Sequence, residues 1–542
     1  MARTDYPESL IVAVALVAAA IAVLWPPAQL AHFLALVGGD IFHNIWTYER
    51  NIANLARWAP AAPSIMLPDE FSSLYGEFQP GNTAIYGLTR LLGASDSQGY
   101  ALLYLLAFVL NGFFAYRIAR LCGAPPLAGT ASALLAGFAP VWTGQLEHVQ
   151  LVSLYWVLAP VYFALRYLED GRRVTLMIFA VCAVQLMCGP SYNLTIFVLT
   201  ALSLAAFKFP AMRHDPVVRR RMAWLALCAV LAILPWSLIW FRYIQFLGSD
   251  AARDAAHNDL YRIDLAWLFV PSSLSALYPG QFGIYDRSHV PIAAYLASPG
   301  LAALTVFGLS VVWFRHGTPV VRALTLAAVL LLLLSFGSRL SWNGLYLAPN
   351  PAFILATKTP LLAATRNIGH LAFVSFAIMG IVVAWHLARY RVLAIALVVI
   401  AIAVESFTPL LPARLAGAAE RPRPAVYDFL ATLPRGSAVF LPFPRELGAG
   451  EPWKKQFEYM RYAHLHRLWL ANGISGYFPA SYYAAMKALA KFPSDEAVEW
   501  LAMVHMQYLI IDRNSPEIAR VNADAIILRK LYEDADYIVF TR

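Results

Sequence analysis

About eleven apolar stretches, each near the roughly 20 residues that a helix needs to cross a bilayer, limit this chain more than any other feature. They lie near 9–25, 98–116, 126–141, 149–167, 174–188, 193–207, 222–244, 294–314, 319–336, 368–387 and 391–409. A helix suits such segments because it satisfies its own backbone hydrogen bonds where no water can enter. Of the 542 residues, 60% are hydrophobic and 13% charged, about half the charge of an ordinary soluble domain. That balance excludes a soluble enzyme and a disordered chain alike. The expected fold is an α-helical polytopic membrane protein with about 11 transmembrane helices. The first stretch is followed by Pro26-Pro27 and many further spans, so it reads as an uncleaved anchor and not as a signal peptide.

The formal net charge is +9, from 41 Lys+Arg against 32 Asp+Glu. In a membrane protein such an excess reads first as cytoplasmic loop charge, not as a nucleic-acid surface. With Arg3 inside, alternate helices return to the cytoplasm at Arg117/Arg120, at Arg166/Arg172/Arg173, at Lys208 through Arg219-Arg220-Arg221, at Arg315 and at Arg389/Arg391. This parity requires that 78–93, broken by Pro80, Gly81 and Arg90, be re-entrant or interfacial. The remaining loops then face outward: 26–97, the turns 142–148 and 189–192, 245–293, 337–367, and everything after about 410. The chain therefore divides into a transmembrane domain, 1–409, carrying the long first external loop 26–97, and a C-terminal domain, 410–542. In the latter, helix-like stretches at 424–433 and 495–506 alternate with β-rich runs at 438–441, 508–511 and 537–540, a small extracytoplasmic α/β domain. The expected location is the cytoplasmic (inner) membrane, with a cytoplasmic N-terminus.

The outward loops hold the unusual polar residues. Asp40, His43 and Asn44 follow Gly38-Gly39 at a spacing that puts all three on one helical face. Asp40 reads either as a helix cap or as a general base near the membrane surface. Glu77 stands among uncharged neighbours at the lip of 78–93, whereas Asp69-Glu70 reads as a solvated pair. The turn with Gln145, Glu147, His148 and Gln150 sets amides, an acid and an imidazole between two membrane helices, which is costly unless they line a polar cavity. Tyr192 lies in the next external turn, and Arg366 and His370 open the tenth helix, where an Arg facing a cavity would suit a phosphate.

Cys122, Cys182, Cys188 and Cys228 lie in or beside apolar segments without metal or disulfide spacing. Gly-x-Gly-x-x-Gly, Walker, His-Glu-x-x-His and Gly-x-Ser-x-Gly motifs are all missing, so nucleotide hydrolysis, zinc proteolysis and serine hydrolysis lack support. The one Asp-x-Asp, Asp534-Ala-Asp536, reads as a solvated turn.

Gly39-Asp40 with His43-Asn44-x-Trp46, an acid at Glu77, the Gln145-x-x-His148-x-Gln150 turn, Gly189-Pro-Ser-Tyr192, Arg366 at the start of a late helix, and Trp469-x-x-Asn472-Gly473 through Ser481-Tyr482 occur in one order along nearly the full chain. In that order they resemble the GT-C superfamily of polytopic membrane glycosyltransferases, in its bacterial, uncharacterised branch. The resemblance implies a polyprenyl-phosphate sugar donor entering from membrane lipid. It implies inverting transfer to a glycan, lipid or protein acceptor at the outer membrane face, with no nucleic-acid partner. It makes Asp40 the catalytic base, Glu77 a second acid, and His148 with Arg366 the groups facing the donor phosphate, with His43, Asn44, Gln145, Gln150, Tyr192 and His370 binding substrate. Without an Asp-x-Asp in the early loop, a divalent cation has no support and the metal stays unknown. A flippase or transporter for lipid-linked saccharides, or a non-catalytic assembly factor, would use the same cavity without making a bond.

Overall fold

A computed structural model describes residues 5–24, 30–31, 39–56, 65–68, 78–143, 145, 147–187, 191–212, 214–234, 237, 241, 262–269, 298–356, 368–406, 423–447, 450–476, 478–515 and 528–541. Each apolar stretch of the sequence contains a helix. These are α1 (Asp5–Leu24), α4 (Asp96–Leu121), α5 (Pro126–Phe138), α6 (Tyr155–Asp170), α7 (Arg173–Met187), α8 (Ser191–Met212), α9 (Pro216–Ile233), α10 (Leu301–Val312), α11 (Pro319–Ser335), α12 (His370–Leu387) and α13 (Val392–Ser406). Between α1 and α4 lie α2 (Asp40–Ala56) and α3 (Pro80–Leu91). Among the described residues, α1, α4, the stretch Val149–Asp170 and α12 are long and apolar enough to cross a membrane. Helix α3, 12 residues long, opens at Pro80 and carries Arg90 in its last turn.

The chain forms two compact units, one comprising Met1–Ala31, Ala101–Ser237 and Arg253–Ala418, the other His32–Tyr100, Leu238–Ala252 and Ala419–Arg542. In the first, α12 is the central helix: 94% of its apolar window is buried, against 17% for α1. Small residues let the backbones approach closely, and a Cβ on Gly137 would lie 2.6 Å from the Phe108 carbonyl oxygen. Arginines hold the helix ends. Arg120 Nε lies 2.7 Å from Glu8, so the end of α4 meets the start of α1. Arg221 donates to the carbonyls of Leu168 and Glu169 at 2.8 and 3.0 Å, and Arg389 to that of His316 at 3.0 Å. Cations at helix C-termini also complement the dipole. Helices α1 and α4 run in opposite senses. At another helix end, the buried carboxylate of Glu405 accepts from the backbone N–H of Leu301 at 3.1 Å and of Ala302 at 3.2 Å, capping α10.

After α11 the first unit also has an antiparallel hairpin, β1 (Arg339–Trp342) and β2 (Leu345–Pro349). The second unit joins the first long loop to the C-terminal residues. A sheet of order β4-β3-β5-β7-β6 comprises β3 (Ser437–Leu441), β4 (Trp469–Leu470), β5 (Tyr508–Asp512), β6 (Arg529–Glu533) and β7 (Tyr537–Thr541). Strand β3 runs parallel to β4 and β5, while β7 is antiparallel to β5 and β6. Three of the five coincide with the β-rich runs of the sequence; β4 and β6 were not expected. Asp534 of the Asp-x-Asp accepts the backbone N–H of Asp536 and Tyr537 at 2.8 and 2.7 Å, so it shapes the β6–β7 turn. The loop residues Met66 and Leu67 donate to the Asn472 and Leu470 carbonyls at 3.1 and 3.0 Å, extending this sheet from its β4 edge. Gly473, at φ 153°, is the crossing point: a Cβ there would lie 2.8 Å from Ile65 Cβ. Trp46 of α2 and Ile65 share the buried core of this sheet.

His466 is buried in that core, with its ring 6.3 Å from and parallel to Tyr427, and its Nδ1 accepts from Leu468 N at 3.1 Å. Burial, reinforced by nearby His464, pushes its pKa down to about 3. The unfolded chain therefore binds the extra proton first. The contribution of this group is complete above about pH 6.5 and falls by about 1.4 kcal/mol for each unit of acidification below that. Urea unfolding of the sheet, followed by proteolysis of the full-length protein, should show a loss of about 2 kcal/mol between pH 6.5 and 5; His466→Asn should flatten that slope, and an unchanged slope would count against this origin.

Candidate active site

Site residues occur in both units. In the unit that contains the sheet, α2 presents a buried polar stripe. Asp40 is the first helical residue, behind Gly39 at φ 59°, and is partly exposed. The helix therefore holds Asp40 within its first turn, where the positive end of the dipole favours an anion. His43 packs on Trp46, ring centroids 5.9 Å apart. Below them Asn44, Thr47 and Asn51 are almost wholly buried. Asn44 Oδ1 accepts from Gln79 Nε2 at 3.0 Å, and its Nδ2 faces the Tyr100 hydroxyl at 3.4 Å. Tyr48 donates to Gln79 Oε1 at 2.8 Å.

Charged groups flank this stripe. Glu49 accepts from Tyr86 at 2.8 Å and from Arg90 Nε at 2.9 Å. Burial first, then the Glu49 charge, pushes the Tyr86 phenol far above its usual range, so it stays a neutral donor. Arg50 lies 4.7 Å over the Trp46 ring and donates to Asn51 at 2.8 Å; burial lowers its pKa to about 10, which leaves it cationic at neutral pH. Arg461, 5% exposed, reaches Asp96 at 3.3 Å and stacks 4.6 Å over Phe42.

In the helical unit, the turn before the short helix Val149–Val152 brings two expected residues to a third element. The rings of His148 and His370, the latter at the head of α12, stand 6.0 Å apart, and Phe373 lies 5.5 Å from His370. Gln145 is buried; its carbonyl accepts from the Tyr104 hydroxyl and, at 3.0 Å, from His148 N. Gln150 is half-buried and Glu147 exposed. Glu77, Arg366 and the side chain of Tyr192 lie outside the described residues.

Sequence reading missed the residue that makes this turn possible. Asn111 sits fully buried in the apolar α4; its Nδ2 donates to the Val152 carbonyl and its Oδ1 accepts from Tyr155 N, both at 2.6 Å. It thereby satisfies the backbone where the chain breaks between Val149–Val152 and α6. A single amide in the middle of a 26-residue apolar helix was the available signal.

Solved membrane glycosyltransferases share this fold. Against arabinofuranosyltransferase AftD from Mycobacteria the TM-score is 0.57 at 13% identity, over 97% of this chain and 39% of that one. The archaeal oligosaccharyltransferase AglB from Archaeoglobus fulgidus, solved with an inhibitory peptide and a dolichol-phosphate, gives 0.50 at 11% identity, over 94% and 70%. Apo ArnT from Cupriavidus metallidurans gives 0.50 at 15%, over 97% of each chain. The protein is thus a polytopic membrane protein with a GT-C-like fold. Within that class it belongs to the family described as Domain of unknown function (DUF6311), which matches residues 9–406. No curated protein matches the chain in sequence.

Replacing Asn111 by Leu removes both bonds at the helix break, while the Val152 carbonyl keeps the Leu154 N–H at 2.8 Å. A buried hydrogen bond is worth about 0.5–1.5 kcal/mol, so Asn111→Leu should lower the thermal midpoint of the detergent-solubilised protein by a few degrees; a midpoint equal to wild type would show that the break does not depend on this side chain.

Proposed function

We propose that the protein is a glycosyltransferase that takes a hexose or pentose from a polyprenyl-phosphate donor and transfers it, with inversion, to an acceptor hydroxyl at the outer face of the cytoplasmic membrane. The observation that carries the reading is Asp40. It is a partly exposed carboxylate in the first turn of a helix whose face below it is polar and buried, in a chain with the GT-C-like fold. In the proposed step Asp40 takes the proton of the acceptor hydroxyl, whose oxygen attacks the anomeric carbon. The bond from that carbon to the phosphate oxygen breaks, and the lipid phosphate leaves as an anion. An anionic leaving group needs cationic or hydrogen-bonding groups more than a strong acid. That role falls to His148, His370 and Arg366, with Gln145, Gln150 and Tyr192 binding the headgroup. Glu77, His43 and Asn44 orient the acceptor and sugar. The AglB structure holds a dolichol-phosphate, a lipid phosphate of the kind that leaves in the proposed step.

In this reading all eleven apolar helices cross the membrane, the N-terminus is cytoplasmic and the sheet domain lies outside. The pairing of Arg120 with Glu8 and of Arg389 with the His316 carbonyl supports one basic face. Purified protein incubated with a panel of polyprenyl-phosphate sugars and candidate acceptors should release lipid phosphate. Asp40→Asn should slow release by about 10²–10⁴-fold, the usual worth of a general base, while donor binding by calorimetry is retained. Wild-type turnover in Asp40→Asn would remove Asp40 as the base, and no transfer and no donor hydrolysis across the panel would return the protein to the flippase or assembly-factor readings.

A further inference from the structure

The β1–β2 hairpin is built the wrong way round for water. Its Asn343-Gly344 turn has positive φ at both residues, 49° and 81°, the two-residue geometry that matches the twist of paired strands. Trp342 and Leu345 are partners across that turn, and Leu347 lies on the same face two residues further on. Phe269 brings its ring to 5.8 Å from Trp342, and these four side chains are 43 to 70% exposed. On the other face the small polar Ser341 is 1% exposed, beside an exposed Tyr346. A sheet with one face in water ordinarily turns its apolar side inward.

Buried polar side chains fix the hairpin at both ends. At the turn, Asp264 accepts from Asn343 N at 2.8 Å and Gly344 N at 3.0 Å, and also from Ala266 N at 2.8 Å. At the base, Asn350 donates through Nδ2 to the carbonyls of Leu333 and Gly337 at 2.6 and 2.9 Å, and its N donates to the Ser338 carbonyl at 2.9 Å. An isolated two-stranded hairpin is marginal in water, so these bonds hold four large apolar side chains away from any core.

The hairpin starts where an apolar helix stops. Only Phe336, Gly337 and Ser338 separate the end of α11 from Arg339. The start of α10 is at the same end, since Ser298 Oγ donates to the Leu268 carbonyl at 2.8 Å and Glu405 ties α10 to the end of α13. Leu301 of α10 and Val404 of α13 are exposed there too. We propose that the hairpin is an interfacial anchor, with the Trp342, Leu345 and Leu347 face and Phe269 inserted into the phospholipid headgroup layer at the end of α11. The proposal rests on α10 and α11 crossing the membrane, and not on the transferase chemistry. Trp and Tyr are the side chains that favour this depth. From 301 to 404 the sequence has no Asp or Glu, and Arg339 is exposed at the base of the hairpin, so phospholipid phosphates meet no carboxylate on it. The depth is limited by the backbone. Among the described residues the sheet has two strands, so each has an edge without a strand beside it, which hydrocarbon would leave unsatisfied. The apolar face therefore enters about 5–10 Å, where water still reaches the strand edges.

The test uses full-length protein in liposomes of phosphatidylcholine and phosphatidylglycerol. A benzophenone amino acid replaces Leu345 beside the turn or, as a control, the exposed Leu309 of α10. After irradiation the intact mass should rise by one phospholipid at either position. A lipid adduct at 309 without one at 345, or a crosslinked dimer through 345, would overturn the anchor, the dimer by assigning the face to a second copy of the chain. Lipid at neither position would remove the membrane reading of α10 and the proposal with it. Depth is read from Trp342. The emission lost in Trp342→Phe should be quenched more by bromine near the headgroup end of the acyl chains than by bromine near their tips. Equal, reversed or absent quenching would overturn the proposal. Trp342→Phe keeps an apolar ring at this position, so this arm stands even if the reporter at 345 prevents folding.

Discussion

A backbone N–H or C=O inside hydrocarbon has no water to turn to, and the irregular places of the helical unit are arranged around that fact. Where the chain breaks before α6, Asn111 donates to the Val152 carbonyl and accepts from the Tyr155 N–H. Where α10 begins beside Gly300, Glu405 receives its first N–H groups. After α11, Asn350 donates to the carbonyls of Leu333 and Gly337. These polar side chains in apolar surroundings are thereby accounted for by backbone they serve. The His148 and His370 pair is of another kind, imidazole facing imidazole from a turn and a helix head, and it stands out because its neighbours have structural duties.

Local pattern carried most of the helical architecture. Hydropathy located a helix in every apolar stretch, and β-rich runs located three strands, because both signals repeat within a few residues. Helix α3 opens at Pro80 and carries Arg90 in its last turn, the residues by which the sequence sets 78–93 apart from the apolar stretches. What stayed hidden depends on partners far apart in sequence: Arg461 with Asp96, 365 residues away, or Asn111 with Val152 and Tyr155, 41 and 44 away. Strand β4 has only two residues and β6 reads Arg-Lys-Leu-Tyr-Glu, too short or too charged to announce itself. Asp40 shows the limit at the site. Its spacing fitted a cap as well as a base, and its place as the first residue of α2, one turn above the buried Asn44, became visible only with the fold.

Charge is used sparingly and at boundaries. Arg221 and Arg389 close helix ends over carbonyls, and Arg120 joins two helices through Glu8. In the sheet unit the charged groups Glu49, Arg90, Asp96 and Arg461 gather around α2. Part of the basic excess that might have suggested nucleic acid is thus placed at helix termini, with Arg120, Arg221 and Arg389 each serving a local task there.

The pairing of Met66 and Leu67 with residues 470 and 472 has a consequence for how the protein is made. The loop leaves the ribosome early, yet the edge it completes is encoded about 400 residues later. At typical synthesis rates that interval is roughly 20 to 80 s, during which Trp46 and Ile65 have no core to enter. The loop has to remain soluble and unpaired while the membrane helices insert, and α2 acquires its final setting only when the last strands arrive. Completion of the core around α2 thus comes late in biogenesis, which leaves an incomplete chain without a finished α2 face.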